Sequence, residues 1–172
     1  MAASEGKADG AGETGFDLRG LIENSLLEWE DHLAAVAVAG GCNVRCPFCH
    51  SWRYVTGLSE LAPLDPEDLF RLLKRQRGWI DGVVFTGGEP TLQPGLAGLI
   101  RRARSLGARI KLHTNGSRPG VVAELLREGL LDCLALDYKA PLDHRFLAAA
   151  GSGGEGGEEL RGRVRDCFAL AA

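Results

Sequence analysis

Four short stretches built on aliphatic residues constrain this chain more than any other feature. They cover residues 33–39, 82–86, 109–113 and 133–136, and each stops at a glycine pair, an Asn-Gly or an aspartate. Apolar runs of this length between turn residues are the pattern of strands buried on both faces. Helical patterns fill the gaps. Pro66-Glu67-Asp68 opens one helix, with Asp65 as its N-cap and Leu69, Leu72 and Leu73 on one face. Residues 94–106 form a second, with Leu96, Leu99, Ile100 and Ala103 inward, Arg101, Arg102 and Arg104 outward, and Gly107 as the stop. A third covers 119–127 and ends near Gly129. Alternation of this kind, with later repeats of roughly 25 residues, predicts βαβ units and a parallel sheet with right-handed crossovers. The expected fold class is therefore α/β.

The ends of the chain are less regular. Residues 1–15 are small, polar and Gly-rich and are expected to be a disordered lead-in. Residues 16–29 mix apolar and polar positions and are read as a hairpin or flap. Residues 151–157 read as a Gly/Glu linker, and 158–171 as a last helix with Leu160, Val164, Cys167 and Phe168 at helical spacing. Four strands are expected in all. Lys plus Arg number 20 against 23 Asp plus Glu, a net charge of −3, which is too balanced to indicate nucleic-acid binding. No run approaches the roughly 18 apolar residues of a membrane span. The N-terminal residues lack the apolar region of a secretory signal, so a cytoplasmic location is expected.

In parallel α/β architectures ligands bind at the carboxyl ends of the strands, and the chemically distinctive residues fall there. Cys42, Cys46 and Cys49 follow the first run, Gly87-Gly88-Glu89-Pro90 the second, His113-Thr114-Asn115-Gly116 the third, and Asp137-Tyr138-Lys139 the fourth. Three cysteines within eight residues, in a total of five, do not form an ordinary disulfide framework. Thiolates are soft ligands suited to iron–sulfur clusters, zinc or Cu(I). Three of them can hold three irons of a [4Fe–4S] cube and leave the fourth iron open to substrate. The same residues also fit a C-x-x-C redox pair at Cys46 and Cys49, a C-x-x-C-H haem attachment, or a Cys3His zinc site that includes His50. Cys133 and Cys167 lie in apolar patterns and read as buried small side chains. Glu89 can accept from an ammonium, and the Gly87-Gly88 backbone can approach a ligand closely. Asp137 and Lys139, two apart on an extended segment, point the same way.

Taken together these residues resemble the radical S-adenosylmethionine (radical SAM) superfamily. The Cys42-x3-Cys46-x2-Cys49 spacing, with Phe48 before the third cysteine, is that superfamily's signature, and the Gly87-Gly88-Glu89-Pro90 loop is its second hallmark. The chain looks most like glycyl-radical activating enzymes, and among them is similar to the activating protein of the anaerobic ribonucleoside-triphosphate reductase. Gly41-Cys42-Asn43, Cys46-Pro47-Phe48-Cys49-His50, Thr114-Asn115-Gly116 and Asp137-Tyr138-Lys139-Ala140-Pro141 carry this narrower likeness.

The resemblance implies a parallel-sheet partial (β/α) barrel over residues 16–172, truncated after the fourth strand and its helix. It implies a [4Fe–4S] cluster on Cys42, Cys46 and Cys49, whose open iron binds SAM. Phe48 and His50 would lie along the adenine. Gly87, Gly88 and Glu89 would contact the methionine amino group, and Asn115, Asp137 and Lys139 the carboxylate or ribose. The implied reaction is reductive cleavage of SAM to a 5′-deoxyadenosyl radical. The implied partners are a glycyl-radical enzyme and a low-potential electron donor such as flavodoxin or ferredoxin. A deazapurine-forming synthase or a non-catalytic cluster-binding module are the alternatives. His113 stands where related activating enzymes often carry an aspartate that helps bind a monovalent cation, so that cation site is expected to be weakened or lost.

Overall fold

A computed structural model describes residues 15–151 and 155–171. Five strands form one sheet in chain order: β1 (Leu18–Ser25), β2 (Ala34–Ala39), β3 (Gly82–Gly87), β4 (Arg109–Thr114) and β5 (Cys133–Leu136). The pairs β2–β3, β3–β4 and β4–β5 are parallel, and β1 runs antiparallel to β2. The helices are α1 (Trp52–Val55), α2 (Glu67–Arg75), α3 (Leu96–Ser105), α4 (Pro119–Arg127), α5 (His144–Ala150) and α6 (Glu155–Leu170). The four apolar runs are thus the four parallel strands, and 119–127 is a helix with the expected bounds.

Both faces of β2 are covered, which explains its unbroken apolar sequence. Ala35, Ala37 and Ala39 face a core built with Leu69 and Phe70 of α2, Leu99 and Ile100 of α3, and Leu125 of α4. Ala34, Val36 and Val38 face the other way, where Trp29 and Val84 close over them. Phe85 of β3 is fully buried and meets Phe16 edge to face, with ring centroids 6.0 Å apart. The helices begin and end as their chemistry dictates. The Asp65 carboxylate accepts from the Glu67 N–H at 2.9 Å at the start of α2, and Gly107 and Gly129 take positive φ after α3 and α4.

The expected hairpin over 16–29 is instead a single strand whose hairpin partner is β2. Leu18 is fully buried, and the register breaks between Leu18 and Gly20 and again between Ile22 and Ser25. Those bulges mask the alternation that would announce a strand. Helix α6 starts at Glu155 rather than 158, and α5 was not foreseen. Of the expected linker at 151–157, residues 152–154 lie outside the described residues, as do residues 1–14 of the expected lead-in. Gly15 accepts a backbone bond from Gly95 at 3.1 Å.

The outward arginines of α3 join neighbouring elements. Arg101 forms a two-pronged pair with Glu128, Arg104 reaches Asp132 at 2.6 Å, and Arg102 pairs with Glu67 while its guanidinium lies 3.8 Å over the Phe70 ring. Solvent-exposed pairs of this kind contribute little stability; the core carries the fold. Phe85→Ala is expected to cost about 3–5 kcal/mol. The check is urea denaturation, in which the midpoint falls while the slope is unchanged.

Candidate active site

The cysteine loop leaves β2 through Gly40 and Gly41. A side chain on Gly40 would meet the Asp17 carboxylate at 2.4 Å, and Gly41 takes φ +77°. Val44 turns away from the loop and buries itself against Phe146, Ala150, Leu160 and Val164. The Arg45 N–H donates to the Ala150 carbonyl at 2.9 Å, and Gly151 lies so close that an added Cβ would fall 1.9 Å from the Arg45 carbonyl oxygen. Helices α5 and α6 therefore hold the cysteine loop from behind. Within the loop, the Cys49 N–H donates to the Cys46 carbonyl at 3.1 Å, and the Arg45 guanidinium donates to the Cys42 carbonyl at 2.6 Å.

The second loop is bolted to the first. An added Cβ on Gly88 would stand 1.9 Å from the Gly41 carbonyl oxygen, a contact only glycine permits. The Gly88 N–H donates to the Ala39 carbonyl at 2.9 Å and the Glu89 N–H to the Gly41 carbonyl at 2.8 Å. Glu89 is fully buried. Its Oε1 accepts from the Thr91 N–H at 3.0 Å, the Thr91 hydroxyl at 2.5 Å and the Thr114 hydroxyl at 2.6 Å; its Oε2 accepts from the Asn115 N–H at 2.7 Å. Burial pushes its pKa up, against the pull of those four donors.

At the end of β4, the Asn115 side chain turns back to the cysteine loop. Its Nδ2 donates to Asn43 Oδ1 at 3.0 Å and to Cys42 Sγ at 3.6 Å, while its Oδ1 accepts from the Ser117 N–H at 2.9 Å. Beyond β5, Lys139 Nζ lies 2.7 Å from Asp137 Oδ2. Burial alone would lower the Lys139 pKa, but the bond to Asp137 and the nearby thiols of Cys46 and Cys42 outweigh it and the pKa is raised. Burial also pushes the Cys42 and Cys46 thiols up. The half-buried His113 has its pKa lowered, first by burial and next by Lys111, which favours the neutral ring at neutral pH; its Nε2 is buried without a hydrogen-bond partner.

All of the residues singled out in the sequence line one cavity of about 760 Å³: Cys42, Cys46, Phe48, Cys49, His50, Gly87, Gly88, Glu89, Asn115, Asp137 and Lys139. Trp52 and Tyr138 join Phe48 at its rim, each about half exposed or more. Trp52 and Ser117 were not singled out beforehand, and Asn43 was named only as part of the family likeness. Short polar residues beside a Gly-rich turn were the available signal for the last two. Cys133 and Cys167 do not line the cavity. Cys167 is fully buried, with its pKa pushed up to about 11, while Cys133 is half-buried.

The donor set suits an iron–sulfur cube. The three cysteines are free thiols at intermediate exposure on the cavity wall. Among the described residues no three His, Cys, Asp or Glu side chains converge on one ion-sized point; thiols that each take a different iron have no need to. Residues 36–162 match the family model described as the radical SAM superfamily. The chain belongs to the radical SAM superfamily. That membership implies a [4Fe–4S] cluster and SAM as cofactors.

Relatives within the superfamily differ in chemistry. The chain is 30% identical over 148 residues to a protein of Methanocaldococcus jannaschii provisionally named a glycyl-radical enzyme activating enzyme, covering 84% of this chain and 58% of that one. It is 45% identical over 80 residues to a 7-carboxy-7-deazaguanine synthase of Hyperthermus butylicus, covering 46% of this chain and 33% of that one. The chain thus spans little more than half the length of the first relative and a third of the second. Among solved structures, TYW1 with a lysine-pyruvate adduct superposes with a TM-score of 0.53 at 18% identity, over 78% of this chain and 50% of that one. That likeness supports the radical SAM fold. No helix among the described residues is long and apolar enough to cross a membrane.

Glu89→Gln tests the buried knot. Either orientation of the amide sets its NH2 against a backbone N–H, of Asn115 or of Thr91. Loss of about 1–3 kcal/mol is expected, read as a lower thermal midpoint of the apo-protein.

Proposed function

We propose that this radical SAM enzyme reductively cleaves SAM and generates a glycyl radical on a protein partner, by the resemblance an anaerobic ribonucleotide reductase. One observation carries the cleavage. The three cysteine thiols, the Gly87-Gly88 edge and the Asp137–Lys139 pair all line the same cavity. Cys42, Cys46 and Cys49 would hold the cluster, which would offer an open position to SAM. When bound, the cluster supplies the electron that breaks the sulfonium C–S bond, giving methionine and a 5′-deoxyadenosyl radical.

The residues of the chain bind and orient. The Gly87-Gly88 backbone accepts from the N–H bonds of the amino group, and its two glycines allow that approach. The Lys139 ammonium, kept charged by Asp137, attracts the carboxylate, while Asp137 and Asn115 face the ribose side. Phe48 and His50 flank the adenine. The Glu89 carboxylate is engaged by four protein donors, so it serves the site by fixing the loops rather than by taking up the ammonium itself.

The Methanocaldococcus jannaschii relative supports a glycyl-radical target. The deazaguanine synthase relative, together with the exposed aromatic rim of Phe48, Trp52 and Tyr138, supports a second reading in which the radical acts on a purine-like small molecule. A low-potential donor such as flavodoxin or ferredoxin supplies the electron in either case.

Anaerobic reconstitution followed by reduction with dithionite tests the reading. About four irons per chain are expected, with release of 5′-deoxyadenosine from SAM and loss of that release in Cys46→Ala. Zinc alone, or no release, overturns it. A peptide carrying deuterated glycine decides between targets. Deuterium in the 5′-deoxyadenosine supports glycyl-radical formation. Label retained by the peptide while a purine precursor is consumed supports the small-molecule reading.

A further inference from the structure

The three cysteines of the cavity are not equivalent. Cys42 alone, among the described residues, receives a side-chain amide: Asn115 Nδ2 stands 3.6 Å from its sulfur. The amide cannot be turned around. Asn115 Oδ1 accepts from the Ser117 backbone N–H at 2.9 Å, and a backbone N–H can only donate, so the oxygen is fixed on that side and the NH2 on the sulfur side. The second NH2 proton goes to Asn43 Oδ1 at 3.0 Å, which in turn accepts from the Ser117 hydroxyl at 3.2 Å. The Asn115 N–H is itself held by Glu89 Oε2. Asn115 is 5% exposed and Ser117 fully buried. Three hydrogen bonds engage the amide itself and two more hold its neighbours and its backbone, so one N–H is aimed at one thiol.

Hydrogen bonds to cysteine sulfurs help set the potential of an iron–sulfur cluster. One added electron places more negative charge on the sulfurs, with no proton transferred, so an N–H aimed at sulfur favours the reduced form. We infer that Asn115 is a positioning residue that raises the reduction potential of the cluster through its bond to Cys42, with the Ser117 N–H fixing the direction of the amide. The inference rests on the cluster proposed above and deepens it. It gives Asn115 a role that exists before SAM is bound, in addition to any contact with SAM.

The test is a dithionite titration of the reconstituted full chain, followed by electron paramagnetic resonance without SAM. Wild type is compared with Asn115→Ser and Asn115→Leu. The serine hydroxyl can still accept from the Ser117 N–H and keep the turn, but it is too short to reach Cys42. The leucine keeps the bulk and removes every donor. Both variants are expected to show about a tenfold smaller reduced-to-oxidised ratio at a fixed potential, a shift of about 59 mV to lower values for a one-electron couple. Asn43→Ala leaves the Ser117 bond and the N–H to sulfur in place, and its potential is expected to stay near wild type. Two results overturn the inference and leave the proposed function standing. One is variants with less iron but an unchanged potential in the loaded fraction. The other is an unchanged potential with a raised KM for SAM. Wild-type protein that takes up no four-iron cluster overturns both.

Discussion

A single buried carboxylate holds the catalytic end of the sheet together. Glu89 leaves β3, and its two oxygens collect the hydroxyl of Thr114 and the N–H of Asn115 from the end of β4, together with both donors of Thr91. The cysteine loop joins through the backbone, because the Glu89 N–H donates to the Gly41 carbonyl one residue before Cys42. Three loops from three strands are thus fixed around one side chain. The arrangement is costly to break, since a buried donor left unpaired loses its full solvation. It also explains why the glycine pair precedes this glutamate. Gly88 must lie against the Gly41 backbone for the bond to form, and no larger residue fits there.

The cysteine loop is held from two directions. Its front is joined to the β3 and β4 loops, and its back to α5 and α6 through Val44, the Arg45–Ala150 bond and the close approach of Gly151. Helix α6 also lies against α4 and presses Cys167 toward Gly116 in the loop beyond β4. The C-terminal helices therefore support both the loop that carries the thiols and the loop that carries Asn115. This is a structural use for a segment whose sequence pattern is weak.

What could be read from the chain alone follows from how local each signal is. Strands buried on both faces write themselves as continuous apolar runs, and β2 and β3 were legible for that reason, while β4 and β5 were legible as short segments closed by turn residues. Glycine pairs at their ends marked where loops come close, and the cavity contains the three cysteines and every residue expected to contact SAM. Bulged β1 was harder, because its breaks in register spoil the alternation, and its membership of the sheet depends on pairing with β2. Helix α5, and the way Val44 docks on it, depend on contacts distant in sequence. The side-chain engagement of Glu89 was hidden for the same reason. A glutamate in a Gly-rich turn looks like a ligand contact until Thr91, Thr114 and Asn115 are brought to it. The outward arginines of α3 could have faced a partner; the structure gives them Glu67, Glu128 and Asp132 instead.

Trp29 lies under the sheet, outside the cavity lining. It covers the inner side of the sheet with Val36, Val38 and Val84, and just above it Lys111 Nζ donates to the Glu28 carbonyl at 2.6 Å. Glu28 and His113 line the cavity together with Phe48, Trp52 and Tyr138, whose rings are each about half exposed or more. Thiols, an ion pair and exposed aromatic rings thus share one wall, so a flat ring and a charged head group can be held side by side.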